Sequence, residues 1–368
     1  MRLIGPIGRV GNTDTGAATM TGMDLNLLSM PKVLLHEHLD GGLRVATLFE
    51  LLAQRGLECP AQSLEGLAQW FAARAHAGSL EQYLQGFALT VAAMATPAAL
   101  ERVAFEAAED AAADGCVLAE LRIAPALFEA HDIAAEAAVE AMLAGLARAP
   151  IPCGLIVCAM RHHTPAEVER SARLALAWRG RGVIGFDLAG PERGFPPSLH
   201  AGALKIVRDA GLPITLHAGE ADEPERILEA ADLGATRIGH GVRLADAFDR
   251  PGGAALIDEV IRRDLHLEVC PTSNVHTGAY ASLAEHPITR LWRAGVSLSF
   301  HTDNRLMSCI SVAGEAQALV DHCGLGVEDL ARMGALAVKH SFLPRDACHA
   351  ALQSLRGWAL RNRIALEG

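Results

Sequence analysis

Eight short apolar runs rich in Val, Ile and Leu recur along the chain: Val33–His36, Cys116–Ile123, Cys153–Met160, Val183–Leu188, Pro213–Leu216, Thr236–Gly239, Leu265–Cys270 and Val296–Phe300. Runs that are continuous rather than alternating suit strands covered on both faces. The stretches between them carry helical periodicity. After a first interval of about 83 residues, consecutive starts lie about 23 to 37 residues apart, room for a strand, a helix and two loops. The pattern predicts eight βα units. No Gly-rich phosphate loop follows the first strand, so a closed (β/α)8 TIM barrel, an α/β fold, is expected over a doubly wound open sheet.

The long first interval predicts an insertion. From about 43 to 114 the chain is helical in pattern, with Pro60, Gly78 and Pro97 as breaks. An insertion after strand 1 sits at the C-terminal mouth of a barrel, where it acts either as a lid or as a brace for the outer wall. Residues 1–30 read as a loosely ordered leader, and 31–368 as a single domain. The apolar stretch at the N-terminus is short and broken by Gly and Pro, which makes a poor signal peptide.

Composition narrows the partners. The chain has 368 residues, 51% of them hydrophobic, with 32 Lys+Arg against 43 Asp+Glu, a formal net charge of −11. Every apolar run is interrupted well before the roughly 18 residues a spanning helix needs, and much of the apolar fraction is alanine. An acidic chain without a basic block offers no footprint for nucleic acid or a membrane surface. Eight scattered cysteines with no CxxC fit neither a disulfide scaffold nor a thiolate zinc knuckle. The expected compartment is the cytoplasm.

Candidate chemistry collects at strand ends. Strand 1 runs into Leu35-His36-Glu37-His38-Leu39-Asp40, and alternation along a strand puts His36 and His38 on one face with Glu37 pointing away. Two imidazoles converging on one point suit a divalent ion such as zinc. Later strand ends carry His217 and Glu220, then His240, then His301, Asp303 and Asn304. In a barrel these ends meet at the face where active sites lie. Three histidines and an aspartate hold one metal with a position open for water, whose pKa the metal lowers towards 7. Glu220, past a small Ala-Gly turn from His217, is placed for general acid or base work, as is His240. Strand 4 ends Phe186-Asp187-Leu188-Ala189-Gly190, with no lysine for a second metal. The reaction class is metal-assisted hydrolytic attack on an sp2 carbon.

The segments LLHEHLDG, GFDLAGPE, ITLHAGE, RIGHGVRL, LEVCPTSN and SLSFHTDN, in this order from about Pro31 to the end, resemble the metal-dependent adenosine deaminase family, in particular a bacterial branch ending TDNRLMS. The resemblance implies an amidohydrolase-like barrel with one zinc ion held by His36, His38, His217 and Asp303. It implies that Glu220 protonates purine N1 and that His240 orients or deprotonates the attacking water. Hydroxide on the metal then adds to C6, ammonia leaves, and adenosine or 2′-deoxyadenosine becomes inosine or its deoxy counterpart. Asp303 would hydrogen-bond the hydroxide, and Gly190 would offer a backbone N–H to N3.

Two positions bear on the substrate, a small-molecule purine. Asp40 resembles the family residue at the ribose 5′-hydroxyl, where relatives acting on free adenine tend to carry glutamate. Asn304 stands where many members have a second aspartate facing N7, and an amide N–H can donate there directly. The rival reading is the same chemistry on another 6-aminopurine, adenine or a modified adenosine. A purine-binding barrel without turnover is a third. Oligomeric state is not readable. Of the other histidines, His76, His131, His200 and His266 are expected at the surface or in caps. His162, His163 and His276 follow strands at the mouth, and His301 reads as a support of the site or an ordinary buried contact. Glu268 and Cys270 read as core or wall residues.

Overall fold

A computed structural model describes residues 25–75 and 80–366. Eight parallel strands form in chain order: β1 (Lys32–Leu34), β2 (Cys116–Ile123), β3 (Cys153–Met160), β4 (Val183–Ala189), β5 (Thr215–Ala218), β6 (Arg237–His240), β7 (His266–Val269) and β8 (Leu298–Phe300). They pair as β1-β2-β3-β4 and β5-β6-β7-β8. Two junctions close the ring. Phe186 N–H donates to Pro213 O at 3.0 Å between β4 and β5, and His38 N–H donates to Asp303 O at 2.8 Å beyond β1 and β8. The expected α/β barrel is present, its strands almost wholly buried on both faces.

Helices cover the outside, and their apolar stripes make one continuous core with the barrel wall. Alanine lets them approach closely: the helices Pro97–Ala113 and Ala135–Leu146 bury Ala104, Ala107, Ala108, Ala138 and Ala141. This accounts for much of the high apolar count. No single helix among the described residues is long and apolar enough to cross one.

Among the described residues, four α-helices stand between β1 and β2, Val45–Gln54, Leu64–Ala75, Leu80–Met94 and Pro97–Ala113, where the insertion is expected. The last begins at Thr96, whose side chain accepts from Ala99 N–H with Pro97 at the first helical position. The segment read as a loose leader differs at its end: Leu25–Ser29 are helical, Leu27 and Met30 are buried, and Trp358 Nε1 donates to Ser29 Oγ at 3.0 Å. Residues 1–24, and His76, lie outside the described residues.

Candidate active site

At the C-terminal ends of the strands the expected residues converge. One ligand atom from each of His36, His38, His217 and Asp303 lies within 4.8 Å of every other. Asp303 Oδ1 is 3.4 Å from His36 Nε2 and 3.5 Å from His38 Nε2, and His38 Nε2 is 3.2 Å from His217 Nε2. Alternation along the first strand holds: Glu37 turns away and is buried against Thr302 Oγ1 and Arg305 Nε.

The local backbone is shaped for this convergence. Asp303 and His240 both take the left-handed conformation, φ 59 and 62, which non-glycine residues seldom adopt. Gly239 leaves the room two imidazoles need, since a Cβ there would meet His36 Cε1 at 3.0 Å and His217 Cγ at 3.3 Å. Gly41 does the same for Asn304, whose Oδ1 lies 2.0 Å from where its Cβ would stand.

Below the cluster, the barrel interior holds a lattice of buried charges that sequence reading missed. Glu268, expected as a core or wall residue, takes His36 Nδ1 at 2.8 Å, Arg122 at 2.6 Å, Arg237 at 2.6 Å and Thr215 Oγ1 at 2.8 Å. Asp187 takes His217 Nδ1 at 2.9 Å and Arg122 at 2.7 Å. Each carboxylate pins a ring with Nδ1 as donor, leaving Nε2 bare for a metal, the usual second-layer device at metal-binding histidines. The available signal was a charged residue inside an otherwise apolar strand, a position expensive to fill unless it is paired. Burial keeps His36 neutral, its pKa pushed down to about 4, and drives His38 well down also. Neutral imidazole is the ligating form.

The proton-handling pair sits beside the cluster. Glu220 Oε1 accepts from Asn274 Nδ2 at 3.1 Å and Thr277 Oγ1 at 3.0 Å, while its Oε2 is 3.6 Å from His240 Nε2. The loop carrying Glu220 is tied down by Glu192, whose carboxylate accepts from the amides of Glu220, Ala221 and Asp222. Ser273 Oγ donates to Asp303 Oδ2 at 2.6 Å. Asn274, Thr277, Ser273 and Glu192 were not singled out in the sequence. Ser273 and Asn274 lie within the quoted PTSN segment but carry no metal-binding or proton-transfer signature alone.

A cavity of about 840 Å3 opens over these groups. His38, Asp40, His217, Glu220, His240 and Asp303 line it, with Gly190 and Asn304 on its wall, and Phe87, Ala88 and Val91 of the insertion reach it too. Asp40 is buried with Oδ1 lacking a hydrogen-bond partner, and burial pushes its carboxyl up to about 7.

The remaining histidines divide. His131 and His162 line the cavity, so His131 is no plain surface residue. His200 and His266, expected at the surface, are buried: His200 Nε2 contacts Arg161 O at 2.8 Å, and His266 stacks on His340 at 4.6 Å. His301 is fully buried, its Nδ1 accepting from Leu35 N–H at 3.1 Å and its Nε2 2.7 Å from Ser299 Oγ, an inner contact that ties β8 to β1. His163 and His276 are not on the cavity wall.

Comparison with known proteins gives a consistent picture. The family model for adenosine deaminase matches residues 31–358. The adenosine deaminase of Mycobacterium tuberculosis (strain ATCC 25618 / H37Rv) is 46% identical over 332 residues, covering 86% of this chain and 90% of that one. Among solved structures, adenine deaminase from Arthrobacter aurescens superposes with a TM-score of 0.82 at 25% identity, covering 90% of this chain and 99% of that one. The N6-methyl-AMP deaminase of Arabidopsis thaliana gives 0.77 at 25% identity, covering 91% and 99%.

Proposed function

The chain belongs to the adenosine deaminase family, and from that premise we propose that it hydrolyses adenosine, and 2′-deoxyadenosine, at purine C6 to release ammonia. The observation that carries the reading is the convergence of three Nε2 atoms and a carboxylate oxygen on one point, with an acid held alongside.

The donor set fits a metal. His36 Nε2 is fully buried and makes no hydrogen bond, a costly arrangement for a protein interior unless another partner takes the lone pair. His36, His38, His217 and Asp303 would hold the ion, and three nitrogens with one oxygen suit zinc, one ion per chain. A metal there supplies Lewis-acid activation of water at neutral pH.

The chain's own groups do the rest. Two donors hold Oε1 of Glu220, which leaves Oε2, 3.6 Å from His240 Nε2, as the atom that would carry a proton to purine N1. His240 Nε2, beside it, orients the attacking oxygen. Gly190 and Asn304, which line the cavity, would meet N3 and N7 respectively. Asp40 presents an acceptor that suits a ribose hydroxyl and disfavours a phosphate, which argues for a nucleoside over a nucleotide. The barrel from 31 onward with the helices of 43–114 works as one domain, and the contact of Phe87, Ala88 and Val91 with the cavity supports their reading as a lid over a small purine. A cytoplasmic setting fits this small-molecule chemistry.

The test is loss of the ultraviolet band of adenosine across a panel of adenosine, 2′-deoxyadenosine, adenine and alkylated adenosines. Adenosine and its deoxy form should be the best substrates. Preference for free adenine would move the assignment to the rival 6-aminopurine reading.

A further inference from the structure

Behind Glu220 and His240 a line of buried polar groups starts at a main-chain amide. Ile288 N–H donates to Nδ1 of His286 across 3.3 Å. A backbone N–H can only donate, so that nitrogen is an acceptor and the neutral ring carries its proton on Nε2. Burial keeps the ring neutral and pushes its pKa down to about 3. Nε2 of His286 lies 3.3 Å from Oδ1 of Asn274 and donates to it. The amide nitrogen of Asn274 is thereby turned the other way, where two groups wait, Glu220 Oε1 at 3.1 Å and His240 Nδ1 at 3.1 Å. Two N–H bonds meet two acceptors. The opposite orientation of the amide would set Oδ1 against a carboxylate oxygen and leave the His286 N–H facing another donor.

We infer that His286 and Asn274 are positioning residues that fix Nδ1 of His240 as an acceptor, so that the neutral ring enters the reaction with its proton on Nε2, facing the site. This rests on the deaminase reading and sharpens it. In that tautomer His240 donates into the site and has no free lone pair there. It orients the attacking oxygen and does not deprotonate it. The chain has little slack: Asn274 is 0% exposed, His240 1% and His286 5%, and Tyr280 packs edge-on against the His286 ring at 5.2 Å.

The direct test is nitrogen NMR of the full-length, zinc-loaded protein labelled with nitrogen-15 histidine, the His240 signals being identified by their loss in His240→Ala. The expected result is a protonated Nε2 and a bare, hydrogen-bonded Nδ1. A proton on Nδ1 overturns the inference. The same state is tested in turnover by His286→Leu, which removes the donor to Asn274. Its kcat on adenosine should fall roughly 10- to 100-fold with KM and zinc content near wild type, and His286→Gln, which keeps an N–H for Asn274, should recover most of the loss. A His286→Leu protein with wild-type kcat also overturns it. The ring signals are read without substrate, so a wild-type chain that leaves adenosine unchanged would defeat the deaminase reading while the tautomer is still decided.

Discussion

Glu268 accepts a 2.8 Å hydrogen bond from Nδ1 of His36, and that one contact decides which nitrogen of the ring faces the site. Asp187 does the same for His217. Both carboxylates meet Arg122, so two ligand candidates on strands far apart in sequence are oriented through a single buried guanidinium.

Replacing Glu268 by Gln should therefore loosen the metal and the fold together. The amide would point an N–H at one of its present donors, Arg122, Arg237 or His36, and leave the two buried guanidiniums with one carboxylate partner each, Asp187 and Glu120, in place of two. Metal affinity is expected to fall about 10- to 100-fold, and the metal-free protein to lose about 3–5 kcal/mol of stability. Competition with a chromogenic chelator and urea unfolding measure the two. Wild-type metal affinity would show that His36 needs no such partner.

Glu220→Gln separates proton transfer from positioning. The substituted side chain keeps an oxygen for Asn274 and Thr277, and Glu220 is outside the ligand cluster, so zinc content should not change. What it loses is the transferable proton. A fall in kcat of about 10²- to 10⁴-fold is expected, read by steady-state kinetics beside elemental analysis. Turnover near wild type would remove Glu220 from the acid role.

The eight strands and their polar ends were legible because a doubly covered parallel strand must be apolar throughout, so its last residues stand out when they are not. The ends of β5 and β6 were placed short for the same reason, whereas β1 and β7 stop at Leu34 and Val269, before their apolar runs do. His217 and His240 break the apolar run, yet their backbones continue the ladder, and β5 and β6 extend to Ala218 and His240. The supporting shell was not legible. Glu268 and Arg122 are single charges in apolar strands, and only the closed barrel, which brings β2 and β7 round to one interior, shows that they meet. Asn274 and His286 similarly acquire meaning from a turn of chain that brings them together.

Asp40 carries the choice between nucleoside and base. Its Oδ1 has no protein partner, so Asp40→Ala strands no donor at that atom and should act mainly through the substrate. At pH 8, above the Asp40 pKa of about 7, a lost hydrogen bond to this charged acceptor is worth roughly 1.5–3 kcal/mol, about 10- to 100-fold in kcat/KM for adenosine. Adenine, which has no ribose, should show no matching loss. Equal losses on both would place Asp40 away from the sugar.

Glu315 gives the fold a dependence on pH that is separate from the metal cluster. It is wholly buried beside the first turn of the helix Pro271–His276, where its Oε1 accepts from Thr272 N–H at 2.9 Å and its Oε2 has no partner. Burial pushes the carboxyl up from 4.5 to about 7, with the Thr272 bond only partly opposing. The folded chain therefore keeps a proton that the unfolded chain gives up. Below pH about 4.5 both states are protonated and no penalty arises. As pH rises from there towards 7 the unfolded state alone ionises, and stability falls; above 7 the loss is complete. Glu315→Gln keeps an acceptor for Thr272 and cannot ionise, so it should stabilise the protein at pH 8 by on the order of 2 kcal/mol and have little effect near pH 4. Urea unfolding at the two pH values checks this. Because that helix carries Ser273 and Asn274, the stabilised variant should retain kcat, and a variant no more stable than wild type at pH 8 would mean that burial does not raise the Glu315 carboxyl.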